Sequence, residues 1–207
     1  TVPHSEQMRA PVRTQVVHRP WQVETPDDLA LLDLAGERIV ITHQDLISYR
    51  TPDSFAGGEA WRDYRSTTRQ ALAIAAAVCC SSQATADDLL ADDLVDAQRL
   101  HVAPLGGRGE YLPPVAVTLR AQHERERPYL LLLGNRFRHK NSRFALELLR
   151  VLREQHRWDG ELVLAGAEVP FGSSTDEDAE WRIRHRVHAG AVIDLGPVGE
   201  DEKLGLL

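Results

Sequence analysis

Five apolar residues in succession, Tyr129 to Leu133, end on Gly134 and are followed by a cluster of bases and then by a helical pattern. A run that short, closed directly by a glycine, reads as a strand buried on both faces. Arg136, Arg138, His139 and Lys140 form the turn after it. Asn141 and Ser142, both good N-cap types, then open a helix in which Phe144, Ala145, Leu148, Leu149, Val151 and Leu152 repeat at spacings of three and four. A strand, a basic turn and a helix start therefore lie in one line.

The physical value of that order is anion binding. A helix N-terminus presents unpaired N–H groups and about half a positive charge. Cationic side chains in the preceding turn add charge-assisted hydrogen bonds of roughly 1.5–3 kcal/mol each. A phosphate or diphosphate is well served there. A solvated basic turn is the plainer reading of the same residues, and the neighbouring segments decide between the two.

Those segments repeat the alternation. Val12 to His18, Arg38 to His43, Ala76 to Ser81 and Arg99 to Pro104 read as strands before Gly106-Gly107, and Glu161 to Ala165 and Ala191 to Leu195 after the opening segment. Helices are predicted from Thr25-Pro26-Asp27-Asp28 to Gly36, over Glu59 to Ala75, over Gln83 to Ala91 capped by Ser82, over Asp176 to His188 and from Glu200 to Leu207. Gln44 to Pro52 reads as a loop. Strands alternating with helices predict an α/β chain of the doubly wound class, with parallel sheets covered on both faces and right-handed crossovers. Thr1 to Pro11 shows no period. Arg108 to Arg127, with Gly109, Pro113, Pro114 and a charged run, shares no single period and marks a linker. The expected division is residues 1–110, a linker at 111–127, and residues 128–207.

Composition narrows the function classes. The 207 residues are 43% hydrophobic and 27% charged, an ordinary globular balance. The net charge of −7 argues against nucleic acid as a partner, because an acidic chain repels a polyanion and the basic turn is too local to offset this. Cys79 and Cys80 are adjacent in an apolar stretch and read as buried small residues rather than a disulfide or metal pair. No apolar run reaches membrane-spanning length, so a cytoplasmic protein is expected, with a peripheral position at a membrane left open.

Three segments resemble one family. VITHQDLISYRTPDSF at Val40 to Phe55, AVCCSSQATADDLL followed by RLHVAPLGG, and YLLLLGNRFRHKNSRFALELL are similar, in order and spacing, to the group 1 (family 4) glycosyltransferases. ELVLAG and AVIDLGPVGEDEKLGLL follow in the expected order. The resemblance implies a GT-B fold of two facing Rossmann-like domains, the first on the acceptor side and the second for the donor. It implies transfer of a sugar from a nucleotide-diphosphate donor to a hydroxyl of a carbohydrate, lipid-linked or small-molecule acceptor, with retention of configuration. No metal or other cofactor is implied, since protein cations hold the diphosphate. The family's Glu-x7-Glu stretch would fall beyond Leu207, and its first strands before Thr1. The expectation is thus an internal portion of a longer enzyme, inactive alone.

By the same resemblance, Gly134, Arg136, Arg138, Lys140 and Asn141 form the diphosphate site. Lys140 aligns without a gap, and either Arg136 or Arg138 is its partner, because Asn135 stands where the family carries arginine. If Asp45 matches the family Asp, the family His falls on Gln44, not on His43, so both remain candidates for the residue that approaches the sugar. Among competing signals, Asp176-Glu177-Asp178 reads as dipole complementation at a helix start, and His185 and His188 as a solvated face. Clustered catalytic acids, which a nucleotide-sugar epimerase of the same architecture would need, are not found. A non-catalytic α/β binding subunit would need none of the basic residues.

Overall fold

The computed structural model describes residues 13–106 and 127–207. The chain divides into two compact units, Thr1–Gly107 and Arg108–Leu207. The opening segment Thr1 to Pro11 and nearly all of the predicted linker lie outside the described residues.

In the first unit four parallel strands, β1 (Thr14–Arg19), β2 (Gly36–His43), β3 (Ala77–Cys80) and β4 (Leu100–Val102), pair in chain order. The helices between them are α1 (Pro26–Ala35), the short α2 (Ile47–Arg50), α3 (Gly58–Ile74) and α4 (Gln83–Ala91). Local chemistry sets their starts. Thr25 accepts the N–H of Asp28 at 3.1 Å ahead of Pro26, and Ser82 accepts the N–H of Thr85 at 3.2 Å. α3 buries Tyr64, Thr67, Thr68, Ala71 and Leu72, one stripe at helical spacing. The predicted loop Gln44 to Pro52 contains α2, because Asp45 Oδ1 accepts the N–H of Ile47 at 2.9 Å and starts a turn of helix.

One core joins Leu32, Tyr49, Ala71, Leu72, Ala86 and Leu89 from the helices to Ile39, Ile41, Val78 and Cys80 of the sheet. Strands laid down in consecutive order send every right-handed crossover to the same side. The opposite face, with Val16 54% exposed and Thr42 and Cys79 half-buried, is therefore uncovered among the described residues. Among the described residues, then, the helices of this sheet cover one face.

The second unit carries β5 (Tyr129–Leu133), β6 (Glu161–Ala165) and β7 (Val192–Gly196), again parallel and in chain order. Its helices are α5 (Ser142–His156), α6 (Thr175–Arg184), α7 (Arg186–Ala189) and α8 (Glu200–Leu206). Leu146 and Leu149 of α5 and Trp181 of α6 pack on Leu162 and Leu164. Leu206 of α8 packs on Val163 and Ala165 on the other face, where the Tyr129 hydroxyl donates to the Leu206 carbonyl at 2.9 Å. β6 is the strand buried on both faces. β5 also packs on both faces, Leu130 and Leu132 on one core and Tyr129, Leu131 and Leu133 on the other, but it is half-buried throughout, since it pairs on one side only among the described residues. The predicted helix Asp176 to His188 breaks at His185 (φ −113°, ψ 51°) into α6 and α7.

Candidate functional site

Each strand of the second sheet ends at or beside a glycine with positive φ: Gly134 after β5 (131°), Gly166 after β6 (158°) and Gly196 closing β7 (66°). Their backbones are laced together. The Gly134 N–H donates to the Ala165 carbonyl at 2.8 Å, and the Gly166 N–H to the Gly196 carbonyl at 2.7 Å. A Cβ on Gly166 would lie 1.9 Å from the Gly134 oxygen, so only glycine admits this approach. The carboxyl edge of the sheet is thus bare backbone at the place where open parallel sheets bind ligands.

The turn leaving Gly134 is strapped to the loop after β6. The Arg136 N–H donates to the Ala167 carbonyl (2.9 Å), the Arg138 N–H to the Gly172 carbonyl (2.8 Å), and the Ser174 N–H to the Arg136 carbonyl (2.9 Å). Phe137 and Ser173 form an antiparallel bridge. Arg138–Lys140 then make one 3₁₀ turn that ends on Asn141 in the left-handed region (φ 56°, ψ 46°) before α5 begins. Asn141 was expected to cap α5 through its side chain; it makes no such bond, and the first turn of α5 holds no acidic residue. The Ser142 hydroxyl, the other expected cap, donates instead to Asp178 Oδ1 at 2.6 Å. The first turn of α5 thus has no acid of its own, and the carboxylate beside this end is that of Asp178 from α6.

The three bases of the turn are placed differently. Arg136 is 7% exposed and ion-paired twice, with Asp178 (Nη1 to Oδ2, 3.4 Å) and with Asp194. Burial alone would push the Asp194 carboxyl up. The hydrogen bonds from Arg136 and the Gly196 N–H, with the charges of Arg136 and Arg182, outweigh it and hold the carboxyl below the usual carboxylate value. Arg138 is half-exposed, its Nε 2.9 Å from Glu177 Oε1. Lys140 is exposed, and its side chain folds across Gly134, with Cε 3.9 Å from where a Cβ on that glycine would stand. The Lys140 N–H donates to the Phe137 carbonyl at 2.9 Å, while its ammonium makes no hydrogen bond or ion pair to the described residues.

His43 and Gln44 sit in the first unit at the carboxyl end of β2. His43 shares the buried face with Ile39 and Ile41, is 1% exposed, and its Nε2 has no partner among the described residues. Burial pushes its imidazole down to about 4, against a smaller upward pull from the Asp45 charge and backbone. Gln44, one residue on, is exposed, and its carbonyl accepts the Thr85 hydroxyl at 2.9 Å.

Asp178 was the residue that sequence reasoning missed. Of the acidic triplet, Asp176 and Glu177 stay near the surface in the first turn of α6, as dipole complementation expects, but Asp178 is 2% exposed and faces Arg136. His185 and His188 do not form a merely solvated face. His188 Nε2 lies 3.0 Å from Glu154 Oε1 and His185 Nε2 3.9 Å from Glu147 Oε1, so both face α5.

No family model and no curated protein matches the sequence. The structure is similar to that of Anabaena HepE in complex with UDP and glucose, with a TM-score of 0.60 at 17% identity, over 93% of this chain and 50% of that one. It is similar also to a sucrose-phosphate synthase from Thermosynechococcus elongatus, with a TM-score of 0.62 at 18% identity, over 93% of this chain and 47% of that one. The fold is of the GT-B type. The chain spans about half the length of these neighbours, and at such identity the likeness speaks for the fold alone. Among the described residues, no helix is long and apolar enough to cross a membrane.

Proposed function

We propose that the chain is part of a glycosyltransferase that moves a sugar from a nucleotide-diphosphate donor to a hydroxyl acceptor, with retention of configuration. One observation carries the reading: the Lys140 side chain, whose ammonium has no partner among the described residues, lies across a glycine at the carboxyl edge of a parallel sheet, immediately before a helix whose first turn contains no acid. Negative charge accumulates on the diphosphate as it departs, and catalysis needs donors already aimed at it. In this reading Lys140 supplies the first cation, Gly134 admits the phosphates against the backbone, and the N–H groups after Asn141 complete the cradle. Arg138 is the second cation, and to serve it exchanges Glu177 for the ligand. With cations supplied by the protein, the reaction needs no metal. In the first unit Gln44, exposed where His43 is enclosed, is the better placed of the two to meet a sugar.

The test is Lys140→Ala in the complete protein, with UDP as first probe because the HepE structure holds UDP. Removal of one such stabiliser costs about 3–4 kcal/mol in an intact site. Transfer from a UDP-sugar is expected to fall about a hundredfold or more with the unfolding midpoint unchanged. Near-normal turnover would refute the assignment. UDP binding without transfer to any acceptor would leave a binding subunit as the reading.

A further inference from the structure

We infer that Arg136 is a positioning residue and not a ligand of the diphosphate, and that Asp178, through Arg136 and Ser142, fixes the turn on which Lys140 stands. The inference rests on the function proposed above. Arg136, Ser142, Ser174 and Asp178 are each more than nine-tenths buried. Asp178 accepts from three of them: Arg136 Nη1 at 3.4 Å, Ser142 Oγ at 2.6 Å and Ser174 Oγ at 3.3 Å. Asp194 takes the other side of Arg136 and lies 3.6 Å from Arg182. Two guanidinium groups thus meet two carboxylates, and the cluster offers no net positive charge to an anion at Gly134.

What the cluster offers is placement. Arg136 lies four residues before Lys140 and Ser142 two residues after it, so one carboxylate grips the chain on both sides of the 3₁₀ turn that carries the lysine. The same carboxylate ties the start of α6 to the start of α5, and Asp194 adds the middle of β7. A buried charge stripped of one partner is left uncompensated, so these contacts hold as a set. Preorganised sites depend on such supporting side chains as well as on the groups that touch the ligand.

The experiment compares the complete protein with its Asp178→Asn and Lys140→Ala variants by calorimetric titration of UDP, inorganic pyrophosphate and uridine, alongside thermal unfolding. For Asp178→Asn, UDP and pyrophosphate are expected to bind about ten- to a hundredfold more weakly, a typical effect of losing a supporting partner, with uridine affinity unchanged. Unchanged UDP affinity in folded Asp178→Asn overturns the inference. So does tighter binding, which would mean that a released Arg136 is itself a ligand. If Asp178→Asn does not fold, Ser142→Ala carries the same expectation, with recovery in Ser142→Thr, which keeps the hydroxyl; wild-type UDP affinity in Ser142→Ala overturns the inference equally. Undiminished binding in Lys140→Ala sinks the underlying function, whereas loss there with no effect at Asp178 sinks this inference alone.

Discussion

Replacing Gly166 by alanine tests the close contact on which the edge of the second sheet depends. The added methyl would stand 1.9 Å from the Gly134 oxygen, 2.4 Å from its carbonyl carbon and 3.0 Å from the Asn135 nitrogen, all backbone atoms that no rotamer change can move aside. Relief requires β5 and β6 to separate at their ends. That loosens the 2.8 Å and 2.7 Å hydrogen bonds that join Gly134 to Ala165 and Gly166 to Gly196. Two such bonds contribute about 1–3 kcal/mol together, and forcing a methyl into a filled space costs about 1–3 kcal/mol more. The expected destabilisation of this unit is therefore about 4 kcal/mol. Urea unfolding followed by the fluorescence of Trp158 and Trp181, in a background with Trp21 and Trp61 changed to phenylalanine, reads this unit separately. Gly190→Ala is the control, because a Cβ there meets nothing within 4 Å and its φ is −68°. A loss under about 1 kcal/mol for Gly166→Ala, or an equal loss in the control, would refute the reasoning, since alanine at an unhindered glycine of ordinary φ stabilises by about 0.4–1 kcal/mol.

Two further outcomes concern the first unit. His43 has a folded-state value of about 4 against an ordinary 6.5, so between those limits the unfolded chain binds the extra proton and stability falls as pH drops. The full effect is about 3 kcal/mol, developing from near pH 6.5 down to pH 4; urea midpoints from pH 7 to 4.5 should fall less steeply in His43→Gln, and parallel curves would show that His43 is not the titrating group. Ser82→Ala removes the acceptor for the Thr85 N–H and is expected to cost about 1 kcal/mol in urea unfolding, with no loss counting against the cap.

Local chemistry was legible in the sequence wherever a few neighbouring residues decide the outcome. Thr25 and Ser82 announced their helices, and the apolar runs ending in glycine located β5, β6 and β7. The interior of β6 and the half-exposure of β5 look alike in sequence, because an apolar run does not say how many neighbours a strand has. Arg136 and Asp178 are 42 residues apart, and only the fold reveals that the first basic residue of the turn is consumed internally. A faint signal existed: Asp178 is the third acid at a helix start that two acids already complement. The displacement of Ser142 from its capping role follows from the same carboxylate. His43 and Gln44 illustrate the period of a strand, since one step along β2 separates an enclosed imidazole from a solvated amide.

On the proposed function, a molecule held where Gly134, Gly166 and Gly196 meet would rest on peptide units with no side chain to exchange. Such a floor presents the same amides and carbonyls whatever rests on it, and so it cannot tell one guest from another. Discrimination has to come from the walls, the segments that rise from those three glycines, and substitutions there can change preference without disturbing the ground they stand on.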